Sequence, residues 1–94
     1  VLGWVVGVVV DDSFYRRVME FLVEYLGLSR EPVYIRVVRY DEVVDGVKVL
    51  VAMYRAGGKE AFKYCIVRFN NVMGFATPTC VDDEGRAREL YEVA

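Results

Sequence analysis

The stretch Lys59-Glu60-Ala61-Phe62-Lys63-Tyr64-Cys65-Ile66-Val67-Arg68-Phe69-Asn70 decides the fold, because it supports two periods at once. Phe62, Cys65, Ile66 and Phe69 recur at the spacing of a helical stripe, whereas the run Tyr64-Cys65-Ile66-Val67 has the aromatic and branched character of a strand. Ala56-Gly57-Gly58 before it marks a turn, since glycine reaches backbone angles closed to other residues. Asn70-Asn71 after it suits a tight turn between Phe69 and Val72. We read a strand from Phe62 to Phe69 and a short one near Val72 to Thr77. Read as a helix, the same stretch would give strand, helix, two strands, helix, strand: a ferredoxin-like sandwich with an additional C-terminal helix.

Upstream, Leu2 to Val10 is rich in stiff valines and reads as a buried strand. Phe14, Val18, Phe21, Leu22, Tyr25 and Leu26 then fall at helical spacing opposite Arg16, Arg17, Glu20 and Glu24, which predicts a helix from Ser13 to Leu26. Asp12 or Ser13 is placed to cap its start and Gly27 to end it. Strands follow at Val33 to Tyr40 and Val47 to Tyr54, with a polar loop from Asp41 to Gly46. If the first two strands are parallel, they form a right-handed crossover with the helix between them. Downstream, Pro78 interrupts pairing, and Asp82 or Asp83 caps a last helix from Glu84 to Val93. Its apolar face is Ala87, Leu90, Tyr91 and Ala94, and Arg88 and Glu92 have ion-pair spacing. The expected architecture is one α+β domain, residues 1–94, with a mainly antiparallel sheet of four or five strands and two helices.

The chain of 94 residues has room for one modest core, and an apolar fraction of 55% leaves side chains that such a core does not hide. Self-association, as a homodimer, is therefore expected. With 12 basic and 14 acidic residues the formal charge is −2, so no long-range positive field gathers nucleic acid. Histidine is absent, which removes imidazole as a base or ligand and with it the serine–histidine and cysteine–histidine catalytic arrangements. Cys65 and Cys80 form no metal or redox motif and are expected as buried free thiols, a disulfide being the alternative. The apolar opening is shorter than the roughly 20 residues of a membrane span and lacks the pattern of a signal peptide, which gives a cytoplasmic expectation. Glutamine is absent and arginine outnumbers lysine, which leans towards a thermophilic source and would ease the objection to an intracellular disulfide.

Three groups of residues have chemistry to offer. Asp11 and Asp12, at the junction of the first strand and helix, are read as shaping and capping that junction; the alternative is a magnesium site completed by Asp41, Glu42, Asp45, Asp82 or Asp83. If the second strand is regular, Tyr34, Arg36, Val38 and Tyr40 share a face, and Tyr54 extends it if the next strand pairs in register. Such a face suits a subunit interface, and it also suits single-stranded nucleic acid, whose bases stack on aromatic rings and whose phosphates pair with arginine. Arg16, Arg17 and Arg36 are the candidate phosphate ligands, although Glu20 stands at pairing distance in sequence from both Arg16 and Arg17. Ala56-Gly57-Gly58-Lys59 lacks the spacing and the hydroxyl of a nucleotide-binding loop and is read as a turn.

The segment Asp11-Asp12-Ser13-Phe14-Tyr15-Arg16-Arg17, with the apolar run before it, resembles the first strand and helix of Cas2 proteins. That resemblance implies a small ferredoxin-like dimer, in a family of which some members are nucleases; no catalytic assignment is carried over from it and membership is not claimed. The functional expectation is a noncatalytic protein-interaction or self-association module without a cofactor. The alternatives are a single-stranded nucleic-acid-binding module and a magnesium-dependent nuclease.

Overall fold

In the computed structural model, which describes residues 12–28 and 32–94, the deciding stretch is a strand, β3 (Lys63–Asn70). The helical alternative over Lys59 to Phe69 does not form, and the ferredoxin-like order built on it falls with it. Alternation explains the choice: Cys65 and Val67 enter one core and Ile66 the other, so β3 is apolar on both faces, as a central strand must be. A helix would have placed Cys65 and Ile66 on one side and left the second core without Ile66.

The other described elements, in chain order, are α1 (Asp12–Leu26), β1 (Val33–Val43), β2 (Gly46–Arg55), β4 (Gly74–Phe75), β5 (Thr79–Val81) and α2 (Glu84–Val93). Among the described residues the five strands form one antiparallel open sheet in the order β1-β2-β3, with β4 and β5 both on the far edge of β3. The expected strand Leu2 to Val10, and with it the crossover, lies outside the described residues.

Helix α1 starts at Asp12 and ends as its sequence predicts. Gly27 has φ +72°, the Leu28 amide donates to the Val23 carbonyl (2.8 Å), and the Gly27 amide donates to Glu24 (3.2 Å). This pair of bonds closes the helix and satisfies two carbonyls that would otherwise lack partners. Val18 and Leu22 are buried against Ile35, Val49, Val51, Met53, Cys65 and Val67. Tyr25, expected on the apolar stripe, is instead exposed.

Helix α2 covers the opposite face, where Ala87 and Tyr91 pack on Leu50 and Ile66. Asp83 caps it, its carboxylate accepting the Arg86 amide at 2.8 Å. The expected Arg88–Glu92 pair does not form. Arg88 binds Glu84 (2.7 Å), one turn earlier, and Glu92 is taken by Arg39 of β1 (2.6 Å).

Two expectations about connections are corrected. The stretch Asp41 to Gly46 is not a loop: β1 runs to Val43 and the turn is Val44-Asp45, with Asp45 at φ +60°. Gly46 is required there, because a Cβ would overlap the Phe69 carbonyl of β3. At the other edge, the short strand after Asn71 shrinks to Gly74–Phe75, and Thr79–Val81 resumes the same path along β3 as a strand the sequence reading missed. Between them the Ala76 amide still bonds Arg68, and Pro78, having no amide to give, marks the gap.

Cys65 and Cys80 are joined in a disulfide, contrary to the expectation of free thiols. They lie directly opposite each other on β3 and β5, a pairing that depends on the unrecognised strand. The bond ties the short edge strand to the sheet. The Cys65 sulfur also touches the Met53 sulfur at 3.9 Å, a van der Waals contact because no thiol proton remains.

Candidate functional site

The face of the sheet that carries α2 has two halves. Tyr34 and Tyr54 are direct cross-strand partners, and their rings stack with centroids 5.0 Å apart and planes 7° from parallel. One step along the ladder, Arg36 pairs with Ala52, which pairs with Tyr64. The Arg36 guanidinium donates from Nε and Nη2 to the Tyr54 hydroxyl oxygen at 3.3 and 3.2 Å. Ala52, fully buried, is the floor on which these larger side chains stand. Helix α2 stops short of them, so Tyr34 remains 44% exposed and Arg36 is exposed.

Arg36 makes no ion pair with any described carboxylate, and most of its donors are unused. The Tyr34 hydroxyl donates to the Gly58 carbonyl (3.4 Å), which brings the Ala56-Gly57-Gly58 turn alongside the stack. Lys59, next in the chain, is exposed and likewise unpaired among the described residues, with exposed Glu60 following it. Tyr64 closes the inner side, its hydroxyl 3.5 Å from Glu84; burial and then the Glu84 charge push its phenol above the ordinary range.

Tyr40 does not join this group. Val37 pairs with Val51 and Arg39 with Leu50, so Val38 is an extra residue in β1. Beyond this bulge the alternation is reversed: Tyr40 turns to the α1 core, where its ring meets Phe14 edge-on at 6.5 Å, and Arg39 comes to the α2 side. No pattern in β1 signals the bulge, because Val37, Val38 and Arg39 read equally well in either register.

The other half of the face is closed. The Tyr91 hydroxyl lies 2.6 Å from an Asp41 carboxylate oxygen and 2.9 Å from the Lys48 carbonyl, and its single proton serves the shorter, charge-assisted bond. Arg39 and Lys48 flank the Tyr91 ring at 4.8 and 4.4 Å. Lys48 Nζ also donates to the Tyr91 carbonyl (2.9 Å), placing a cation at the C-terminal end of α2. Burial, reinforced by the bond to Asp41, raises the phenol well above its usual range. Sequence reasoning saw Tyr91 as part of an apolar stripe and missed its polar tip.

Of the phosphate candidates, Arg16 is exposed and forms no ion pair among the described residues. Arg17 does not pair with Glu20; its guanidinium lies over the Phe69 ring at 4.9 Å and near Phe75 at 5.7 Å. Asp11 lies outside the described residues, and Asp12 opens α1 with its side chain outside them as well. Of the acids considered alongside them, Asp41 binds Tyr91 and Arg39, Asp82 binds Lys63 at 2.9 Å, and Asp83 caps α2. Among the described residues, no three metal-binding side chains converge.

A second exposed feature is apolar. Val44, Val72 and Met73 stand almost wholly in water at two neighbouring turns, which are joined by a bond from the Asn71 amide to the Asp45 carbonyl (2.7 Å). The Asn70 side chain holds the second turn by accepting the Val72 and Met73 amides. Among the described residues, no helix is long and apolar enough to cross a membrane. Comparison with models of protein families, with curated proteins and with solved structures gave no match.

Proposed function

We propose that the chain is a noncatalytic interaction module whose contact surface is the half of the sheet face that α2 leaves open. The observation that carries this reading is the stack of exposed Tyr34 on half-buried Tyr54, with an Arg36 guanidinium that no described carboxylate neutralises. Rigid aromatic rings and arginine give large contact area at small conformational cost, which is why such groups concentrate at interfaces. A second copy of the chain is the simplest protein partner. Sedimentation equilibrium from micromolar to millimolar protein tests this. We expect a mass rising towards that of a dimer, with the rise abolished in Tyr34→Ala; a constant monomer mass would remove self-association.

A specific observation also favours single-stranded nucleic acid: the two rings are parallel, as a stacking platform requires, Arg36 lies against the Tyr54 hydroxyl, and neither it nor the exposed Lys59 has a described acidic partner. A magnesium-dependent nuclease would draw on Asp11, Asp12, Arg16 and Arg17 instead. Magnesium-dependent cleavage of RNA or DNA, lost in Asp12→Asn, would replace the noncatalytic reading.

A further inference from the structure

We infer that the Tyr34–Tyr54 platform binds single-stranded nucleic acid, with a base stacked on the outer face of Tyr34 and the adjoining phosphate on Arg36. The inference rests on the reading that the open half-face is the contact surface, and it names the occupant.

The geometry is specific about where a base fits. Tyr54 covers one face of the Tyr34 ring. Tyr34 belongs to β1, which among the described residues pairs only with β2, so no described neighbouring strand places a side chain against the other face. A base laid there continues the parallel stack, a contact open to any base because each has a π face. Tyr34 is held upright by its stack and by the bond from its hydroxyl to Gly58, so little rotamer freedom remains to be lost.

Charge selects the ligand. An apolar protein surface would bury Arg36 without compensation, at a desolvation cost. A phosphodiester instead supplies the anion that the guanidinium lacks, through donors left free by its contact with Tyr54. Lys59 offers a second phosphate contact beside the Gly58 turn. The arginine of the closed half cannot substitute, since Arg39 is engaged by Glu92 and Asp41. A duplex hides the base faces that this platform uses, so single strands are preferred. The contacts fall on base and phosphate, and RNA and DNA share both. With a formal charge of −2 on the chain, binding depends on this local patch and not on a general attraction.

The test is fluorescence anisotropy with labelled oligouridylate, oligodeoxythymidylate and a duplex of equal length, at near-physiological salt. We expect saturable binding of both single strands and weaker binding of the duplex. Tyr34→Ala should weaken binding by about tenfold, the loss of one stacked base. Arg36→Ala should weaken it and flatten the dependence of log affinity on log salt by about 0.7, one phosphate contact on a single strand. Tyr25→Ala, which removes an exposed aromatic from α1, should change nothing. Cooperative thermal unfolding of each variant confirms that the fold is intact. Equal binding of duplex, or binding indifferent to both Tyr34→Ala and Arg36→Ala, overturns the inference. So does no oligonucleotide binding at all; if Tyr34→Ala then still abolishes concentration-dependent dimerisation, the contact surface stands and only its occupant is wrong. If neither binding nor dimerisation occurs, both readings fall.

Discussion

The two halves of the α2 face are built from the same parts and come to opposite ends. In the closed half, Tyr91 lies between Arg39 and Lys48, and every charge there meets a partner: Asp41, Glu92 or the carbonyls at the end of α2. In the open half, Tyr34 and Tyr54 stack beside Arg36, and the guanidinium meets only a phenol oxygen. The difference teaches that tyrosine with arginine carries no functional meaning by itself. Saturated by carboxylates under a helix, the pair holds a fold together. Left open, it is equipped to receive something else.

The largest test of this contrast is Tyr91→Ala. It removes a buried aromatic from the smaller core and should cost about 3–5 kcal/mol in denaturant unfolding, loosening α2. A loss no greater than that of Tyr34→Ala would show the closed half to be no clamp. Next, replacing Cys65 and Cys80 together by serine frees β5, whose Val81 packs in the same small core. For a separation of 15 residues we expect a loss of about 3 kcal/mol, read as a lower denaturation midpoint than that of the oxidised protein.

Alkaline pH tests the closed half directly. A phenol whose pKa is raised by folding contributes stability that is complete below its unfolded value, near 10, and that is lost as pH climbs above it towards the folded value. Stability should therefore fall above about pH 10, and Tyr91→Phe should flatten that limb. The smallest effect is Tyr34→Ala, which removes one exposed cross-strand pair and should cost under about 1 kcal/mol of stability while impairing binding. A large stability loss there would make the open half structural.

Residues whose roles are local were legible before folding. The α1 stripe and its Gly27 ending, the Asp83 cap and the Gly57-Gly58 turn each follow from spacing or backbone freedom within a few residues. Their energetics are settled by neighbours in the chain, so sequence order is enough to read them. The pairing of Tyr34 with Tyr54 was half legible: its condition, matching register, could be named but not verified.

What only the tertiary structure decided depends on single-residue offsets and on contacts across long separations. One extra residue at Val38 reverses the sheet alternation and takes Tyr40 away from Tyr34, because strand side chains repeat every two residues and one insertion inverts all that follow. The disulfide required β5 to resume beyond Pro78 opposite Cys65. Glu92 chose Arg39 over Arg88, and Tyr91 found Asp41, across 53 and 50 positions. By itself the sequence determined an α+β chain with an amphipathic helix and a supply of tyrosine and arginine. Which tyrosine would be closed under α2 and which left open was decided by register and by where α2 ends, since ion pairing and burial act through space and the sequence records only order.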